Sequence, residues 1–358
     1  MIGRRSAFDG DLRSGGSAVK RKGLAAFLHL DLPLFTGLLL LCGFGLVVLY
    51  SAGGEDMDMV YKQAIRLGIA FTVMLVMAQI SPQKLRRWSP AVFTMAVLLL
   101  VAVLIAGEIG KGAQRWLDLG LFRFQPSEIM KLALPMMLAW FVSYGDLPPK
   151  PLKLAVAAVI MVVPVVLILK QPDLGTSLLV ASAGVFVLFL AGISWRLIVG
   201  LFAVAGAAAP LAWSFLHPYQ QKRVLTLLDP QSDPLGAGYH IIQSKIAIGS
   251  GGYYGKGWLN GTQSHLEFLP ERHTDFIFSV FAEEFGLMGV LPLLLLYLFI
   301  IYRGLFIAGM AQDSFSRLLA GSLTLVFFVY LFVNTGMISG MLPVVGVPLP
   351  LVSYGGTS

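Results

Sequence analysis

Nine stretches of this chain are apolar almost without interruption and long enough to cross the ~30 Å hydrocarbon core of a bilayer: 34–50, 64–80, 91–106, 129–142, 152–169, 174–190, 197–215, 276–301 and 318–338. Inside lipid every backbone polar group needs a partner within the protein, and apolar runs of this length meet that demand as helices. With 57% hydrophobic and only 13% charged residues, a water-soluble globule is excluded. A tenth span is expected to start at 349–352, just before the sequence stops. The sequence therefore predicts an all-α polytopic membrane protein of ten spans, nine of them complete here.

Arg4, Arg5, Arg13, Lys20, Arg21 and Lys22 precede the first span, and a basic tail of this kind stays on the cytoplasmic side. Alternation then places Lys84, Arg86, Arg87, Lys150, Lys153, Arg196, Arg303 and Arg317 inside as well. The net charge of +7 thus mostly reflects orientation, and nothing points to nucleic acid. Residues 1–33 read as a cytoplasmic tail and 34–358 as a single membrane domain. The first span is an anchor, since its preceding segment is too long for a signal peptide and no cleavage site follows. Cys42 is the only cysteine, which rules out an intramolecular disulfide.

Polar residues concentrate in the outer segments 53–59, 107–125, 170–173 and a long loop, 217–274. In the second of these, Pro126 opens the fourth span, and Glu128 and Lys131 follow three residues apart on one helix face. They are either an internal ion pair or a catalytic or binding pair facing a cavity. Arg115 and Trp116, taken alone, are interfacial anchors. Lys170, Gln171, Asp173 and Thr176 form a second knot, where a mutual Lys170–Asp173 salt bridge is one reading. The third is ERHTDFIFSVFAEEFG, 271–286, which places Arg272, His273 and Asp275 at the start of the eighth span. Charges within a membrane span are costly and mark function by default.

Three outer segments therefore each bring a cation and a carboxylate together. Cations suit a pyrophosphate, whereas carboxylates suit a base or a hard divalent metal. Glu283 and Glu284, deeper in the eighth span, read as helix-packing acids. In the long loop, 239–248 has the pattern of a short helix on the membrane surface. GSGGYYGKG lacks the flanking strand and Ser/Thr of a phosphate loop and reads as a shaped turn. His240, His265 and His273 have no zinc-helix spacing.

Gly112-Ala113-Gln114-Arg115-Trp116, Phe124-Gln125-Pro126-Ser127-Glu128 with Lys131, Lys170-Gln171-Pro172-Asp173-Leu174-Gly175, Phe268-Leu269-Pro270-Glu271-Arg272-His273-Thr274-Asp275-Phe276, and Gly346-Val347-Pro348-Leu349-Pro350 with Ser353-Tyr354-Gly355-Gly356 together resemble the signature blocks of the SEDS family (shape, elongation, division and sporulation). The long loop is closer in form to the elongation members than to the division members.

The resemblance implies a peptidoglycan glycosyltransferase of the bacterial cytoplasmic membrane that polymerises lipid II on the outer face. Its expected partner is a class B penicillin-binding protein supplying the transpeptidase. It also implies that Asp275 matches the family's essential carboxylate. The residues give that carboxylate a job as general base for an acceptor hydroxyl. Carboxylates have a reference pKa near 3.9, so proton transfer should be concerted with attack. Arg115, Lys131 and Lys170 are the candidates to stabilise the leaving pyrophosphate, together with Mg²⁺ or Mn²⁺, for which Asp275, Glu128 and Asp173 are the candidate ligands. His273 is placed to orient substrate or tune Asp275, and Arg272 to oppose its basicity. The alternatives are a lipid II flippase, which would also use a basic outward cavity, and a non-catalytic scaffold.

Overall fold

The computed structural model describes residues 29–110, 113–118, 123–214, 218–233, 236–262 and 272–356. The basic tail before residue 29, Glu271 and His265 lie outside them, as does part of the Phe268–Phe276 block. Each of the nine apolar stretches is a helix: α1 (Leu32–Ala52), α2 (Met57–Ala78), α3 (Pro82–Ala106), α4 (Pro126–Ser143), α5 (Pro151–Lys170), α6 (Leu174–Leu190), α7 (Trp195–Trp213), α10 (Ile277–Met310) and α11 (Ser314–Ile338). Two more, α8 (Pro218–Leu228) and α9 (Ala237–Gly251), lie within the long loop. Among the described residues six helices are long and apolar enough to cross a membrane, and α6 is a shorter apolar one. The chain is a multi-pass membrane protein.

Local chemistry sets the helix starts. Asp31, Asp56, Asp173 and Asp313 each accept a backbone N–H at the beginning of α1, α2, α6 and α11, satisfying donors that a helix leaves unpaired. Proline occupies the first turn of α3, α4 and α5, where its missing N–H costs nothing. Two apolar clusters hold the bundle together. One joins α1, α10 and α11 through Leu41, Leu49, Phe281, Tyr297 and Met337; the other joins α3 to α6 through Leu100, Met130, Leu134, Leu138 and Val187.

The second outer segment is more regular than its glycines suggest. It forms a small antiparallel sheet in the order β1 (Glu108–Gly110), β2 (Ala113–Asp118), β3 (Arg123–Phe124), with Glu108 opposite Trp116 and Leu117 opposite Phe124. The sheet fixes the position of Arg115, which a flexible loop would not.

The eighth span is not continuous. Helix α10 breaks at Gly286, whose φ of 62° and ψ of −164° suit glycine alone. Residues 287–310 cover roughly 36 Å and can cross the bilayer unaided. Residues 277–285 are a separate arm, so Asp275 stands before the arm and not at the head of an unbroken span. The backbone groups freed by the break are taken up by the glycine-rich turn: Lys256 N–H and Gly257 N–H donate to Glu283 O and Glu284 O at 3.0 and 2.9 Å, and Leu287 N–H and Met288 N–H donate to Gly252 O and Tyr253 O, both at 3.0 Å. A Cβ on Gly286 would lie 2.3 Å from Gly255 N. GSGGYYGKG is thus a shaped turn with a specific task, which is to cap a broken helix.

The expected loop helix is present as α9, but its buried side faces protein. Ile241, Ser244 and Ala247 are buried, and Ser244 Oγ lies 2.7 Å from Ser279 Oγ on the arm and donates to Ile338 O at the end of α11. Residues 341–356 run as turns instead of beginning a tenth helix, because Pro348, Pro350 and the positive φ of Gly346 and Leu351 interrupt helical geometry. Leu349 and Val352 are buried in this turn, and Tyr297 Oη donates to Pro350 O at 2.6 Å.

Candidate active site

Asp173 is the pivot of the site. As N-cap of α6 its carboxylate accepts from Thr176 N and Thr176 Oγ1 at 3.2 and 3.0 Å, which turns it away from the preceding helix and towards β2. There it meets Gln125 Nε2 at 3.2 Å and Arg115 Nε at 3.7 Å. The Arg115 guanidinium also donates to Gln171 O and Pro172 O, so the sheet and the α5–α6 turn are fastened together through one side chain. The Lys170–Asp173 bridge does not form. Lys170 ends α5 exposed and does not line the site, because helix capping commits Asp173 to the other side.

Glu128 and Lys131 are one turn into α4 and pair at 2.6 Å; Lys131 Nζ also donates to Tyr330 Oη of α11 at 2.6 Å. The internal ion pair forms, and it faces a cavity. That cavity, of about 150 Å³, is lined by Arg115, Gln125, Glu128, Lys131, Asp173 and Tyr330, with the backbone around Gly346 as its far edge. It shares Glu128, Lys131, Tyr330 and Pro348 with a groove of about 470 Å³ that continues along Leu38, Leu132, Phe327 and Leu351. A small polar chamber therefore adjoins a long apolar trough.

Asp275 approaches the chamber from behind Gly346 and does not line it. A Cβ on Gly346, which has φ of 79°, would lie 3.3 Å from Asp275 Oδ2, so the carboxylate rests against a bare backbone edge. Asn334 Nδ2 donates to both Asp275 O and Val347 O, at 2.9 and 2.8 Å, tying the arm to that edge. Ser353 Oγ donates to Thr274 O at 2.6 Å, and Tyr354 N donates to His273 O at 2.9 Å. The His273 ring packs edge-on against Tyr354, whose ring also carries the Arg66 guanidinium at 4.5 Å. Arg272 Nη2 lies beside Gly54 in the α1–α2 turn. His273 is thus on the Tyr354 side of the segment and Arg272 at the α1–α2 turn, and neither lines the chamber.

Two of the three polar knots share the chamber, and the third meets it across Gly346. The carboxylates do not assemble a metal cage: Glu128 is held by Lys131 and Asp173 by its cap. Among the described residues no group of three or more His, Cys, Asp or Glu side chains could hold a metal ion. The sequence reading missed Tyr330 and Asn334. Their signal was available, since two polar residues four apart in the mostly apolar stretch 325–338 share one face.

The FtsW/RodA/SpoVE family, described as cell cycle protein, matches residues 30–358. The chain is 56% identical over 332 residues to the peptidoglycan glycosyltransferase MrdB of Escherichia coli K12, covering 92% of this chain and 90% of that one. It is 37% identical over 344 residues to a probable peptidoglycan glycosyltransferase FtsW of Trichlorobacter lovleyi, covering 92% and 89%. Among solved structures, a chain of a peptidoglycan synthase complex that coordinates polymerization and crosslinking superposes with a TM-score of 0.79 at 36% identity, covering 91% of this chain and 92% of that one. The rod shape determining protein RodA of Thermus thermophilus superposes with a TM-score of 0.68 at 31% identity, covering 91% of each. A family match over nearly the whole chain, together with these relatives, settles membership: the chain belongs to the FtsW/RodA/SpoVE family of cell cycle proteins.

Proposed function

We propose that the chain is a peptidoglycan glycosyltransferase that polymerises lipid II on the outer face of the bacterial cytoplasmic membrane, with its N-terminus in the cytoplasm and Asp275 as general base. The observation that carries this reading is the junction of polar chamber and apolar trough at Glu128, Lys131 and Tyr330. A substrate with a charged head and a long hydrocarbon tail needs both, side by side. The trough suits the polyprenyl chain, and the chamber suits the pyrophosphate.

In the reaction the 4-hydroxyl of an acceptor GlcNAc attacks the anomeric carbon of a MurNAc. The new O4–C1 bond forms as the bond from C1 to the pyrophosphate oxygen breaks, with inversion. The hydroxyl proton passes to the Asp275 carboxylate as attack proceeds. The released undecaprenyl pyrophosphate gains charge, which Arg115 and Lys131 are placed to stabilise. Glu128 holds Lys131, and Asp173 holds Arg115, in line with that task. Lys170 has no part in it. Arg272, at the α1–α2 turn, and His273, on the Tyr354 side, suit contacts to the acceptor.

A divalent cation fits this site only as a companion of the substrate, since Asp173 and Glu128 are already engaged by Arg115 and Lys131 and Mg²⁺ commonly takes phosphate oxygens and waters beside one or two carboxylates. Crosslinking falls to a class B penicillin-binding protein acting in trans, in keeping with the neighbouring structure from a synthase complex. The test is to supply lipid II to the purified full-length protein with its partner and follow glycan length, beside a vesicle assay for lipid II crossing. Polymer formation supports the proposal; crossing without polymer would identify a flippase instead.

A further inference from the structure

The arm 277–285 has two ends, and the reaction proposed above uses only one. At its far end Glu283 is fully buried, and its carboxylate is met by Lys256 Nζ at 2.7 Å and Thr262 Oγ1 at 3.0 Å, which are themselves 2.7 Å apart. Glu284 accepts from Ser51 of α1. Every residue from 276 to 284 is buried. A charged group so enclosed is tolerated only when paired, and its pairing here comes from the turn that caps the helix break.

We propose that Lys256 is a positioning residue for the transfer reaction: through Glu283 it clamps the far end of the arm and thereby sets where Asp275 stands against Gly346. The inference rests on the reading of Asp275 as base. The break at Gly286 removes the rest of α10 as a support, so the arm is located by its tethers: Asn334, Ser353 and Tyr354 at the Asp275 end, Ser279 to Ser244 at mid-length, and at the far end Ser51 on Glu284, the two backbone bonds from Lys256 and Gly257, and the Lys256–Glu283 pair. The turn supplying those backbone bonds has positive φ at Gly252, Gly255 and Gly257 and no regular structure of its own. Lys256, folded back onto Glu283, holds that turn to the arm. Without the ammonium, the buried carboxylate is relieved by water entering or by the arm shifting outward. Either change is transmitted along a short rigid helix to a carboxylate whose oxygen has only a glycine's width of clearance.

The test uses the full-length protein with its crosslinking partner and lipid II, with rates normalised to folded enzyme. Lys256→Met is expected to lower kcat about 10- to 100-fold while KM changes little, the size that a misplacement near 1 Å produces. Lys256→Arg, which keeps the charge, should recover most of the rate. Lys256→Met with Glu283→Gln should be less impaired than Lys256→Met alone, since the buried charge that the ammonium offsets is then removed with it. Asp275→Asn is measured beside them. If Asp275→Asn is inactive while Lys256→Met retains the wild-type kcat, the coupling is wrong and the base assignment stands. Equal losses in Lys256→Met and Lys256→Arg also overturn it. An active Asp275→Asn overturns both.

Discussion

Asp275 and Glu283 are two carboxylates on one short stretch of chain, and they live under opposite conditions. Glu283 is fully buried, with a lysine and a threonine on its carboxylate. Asp275 is only partly buried, and its carboxylate rests on a backbone edge beyond which lies a chamber lined by Arg115, Lys131 and the two carboxylates that hold them. A fully buried acid held by a lysine is a structural fastener, whereas an acid at the rim of a polar chamber suits the chemistry proposed for it. Both precede the break at Gly286, and what separates them is their neighbours: Lys256 and Thr262 for Glu283, the Gly346 edge for Asp275. The break detaches the arm from the membrane span.

The comparison breaks most sharply at the chamber. Lys131→Met should reduce polymerisation about 100-fold, the loss seen when one preorganised charge donor is removed, and leave lipid II binding less affected. A kinetic split with the loss mainly in KM would move Lys131 from transition-state stabilisation to ground-state binding. Gly346→Val tests the clearance before Asp275. It forces a β-branched residue to a φ of 79° and places a methyl against the carboxylate, so kcat should fall about 10-fold or more. Asn334→Ala leaves the carbonyls of Asp275 and Val347 without their shared donor and should cost about 1–3 kcal/mol of stability, read by thermal unfolding in detergent.

The smallest expected effect lies at the opposite side of the membrane. Arg303 holds Asp31 in a two-pronged pair, and the hydrogen bond from Arg303 keeps the Asp31 carboxyl below its ordinary range despite the opposing effect of burial. A carboxyl lowered in this way stabilises the fold above its ordinary pKa, and that contribution disappears as pH falls through the lowered value. Asp31→Asn should therefore narrow its stability difference from wild type as the solution is acidified below about pH 4, with no change in the pH dependence of kcat.

Much of the fold was legible because lipid imposes a simple rule, that backbone polar groups must be satisfied locally, and apolar length reports it directly. The Glu128–Lys131 pair was legible from helix spacing. What was not legible depended on long-range contacts. Asp173 discards Lys170 for Arg115 because its cap points it that way. Tyr330 and Asn334 reach the site from a helix distant in sequence. The break in α10 was not legible, since the capping partners of Gly286 lie about thirty residues earlier in the chain. Gly346 stood out in the sequence, but only the arm's approach shows what its missing side chain is for.

The most direct test is the rate at which folded Asp275→Asn polymerises lipid II. Asparagine keeps the shape and removes the base, so the variant should unfold at nearly the wild-type temperature while kcat falls about 10²- to 10⁴-fold, the range for loss of a general base. Polymerisation at the wild-type rate would contradict the account.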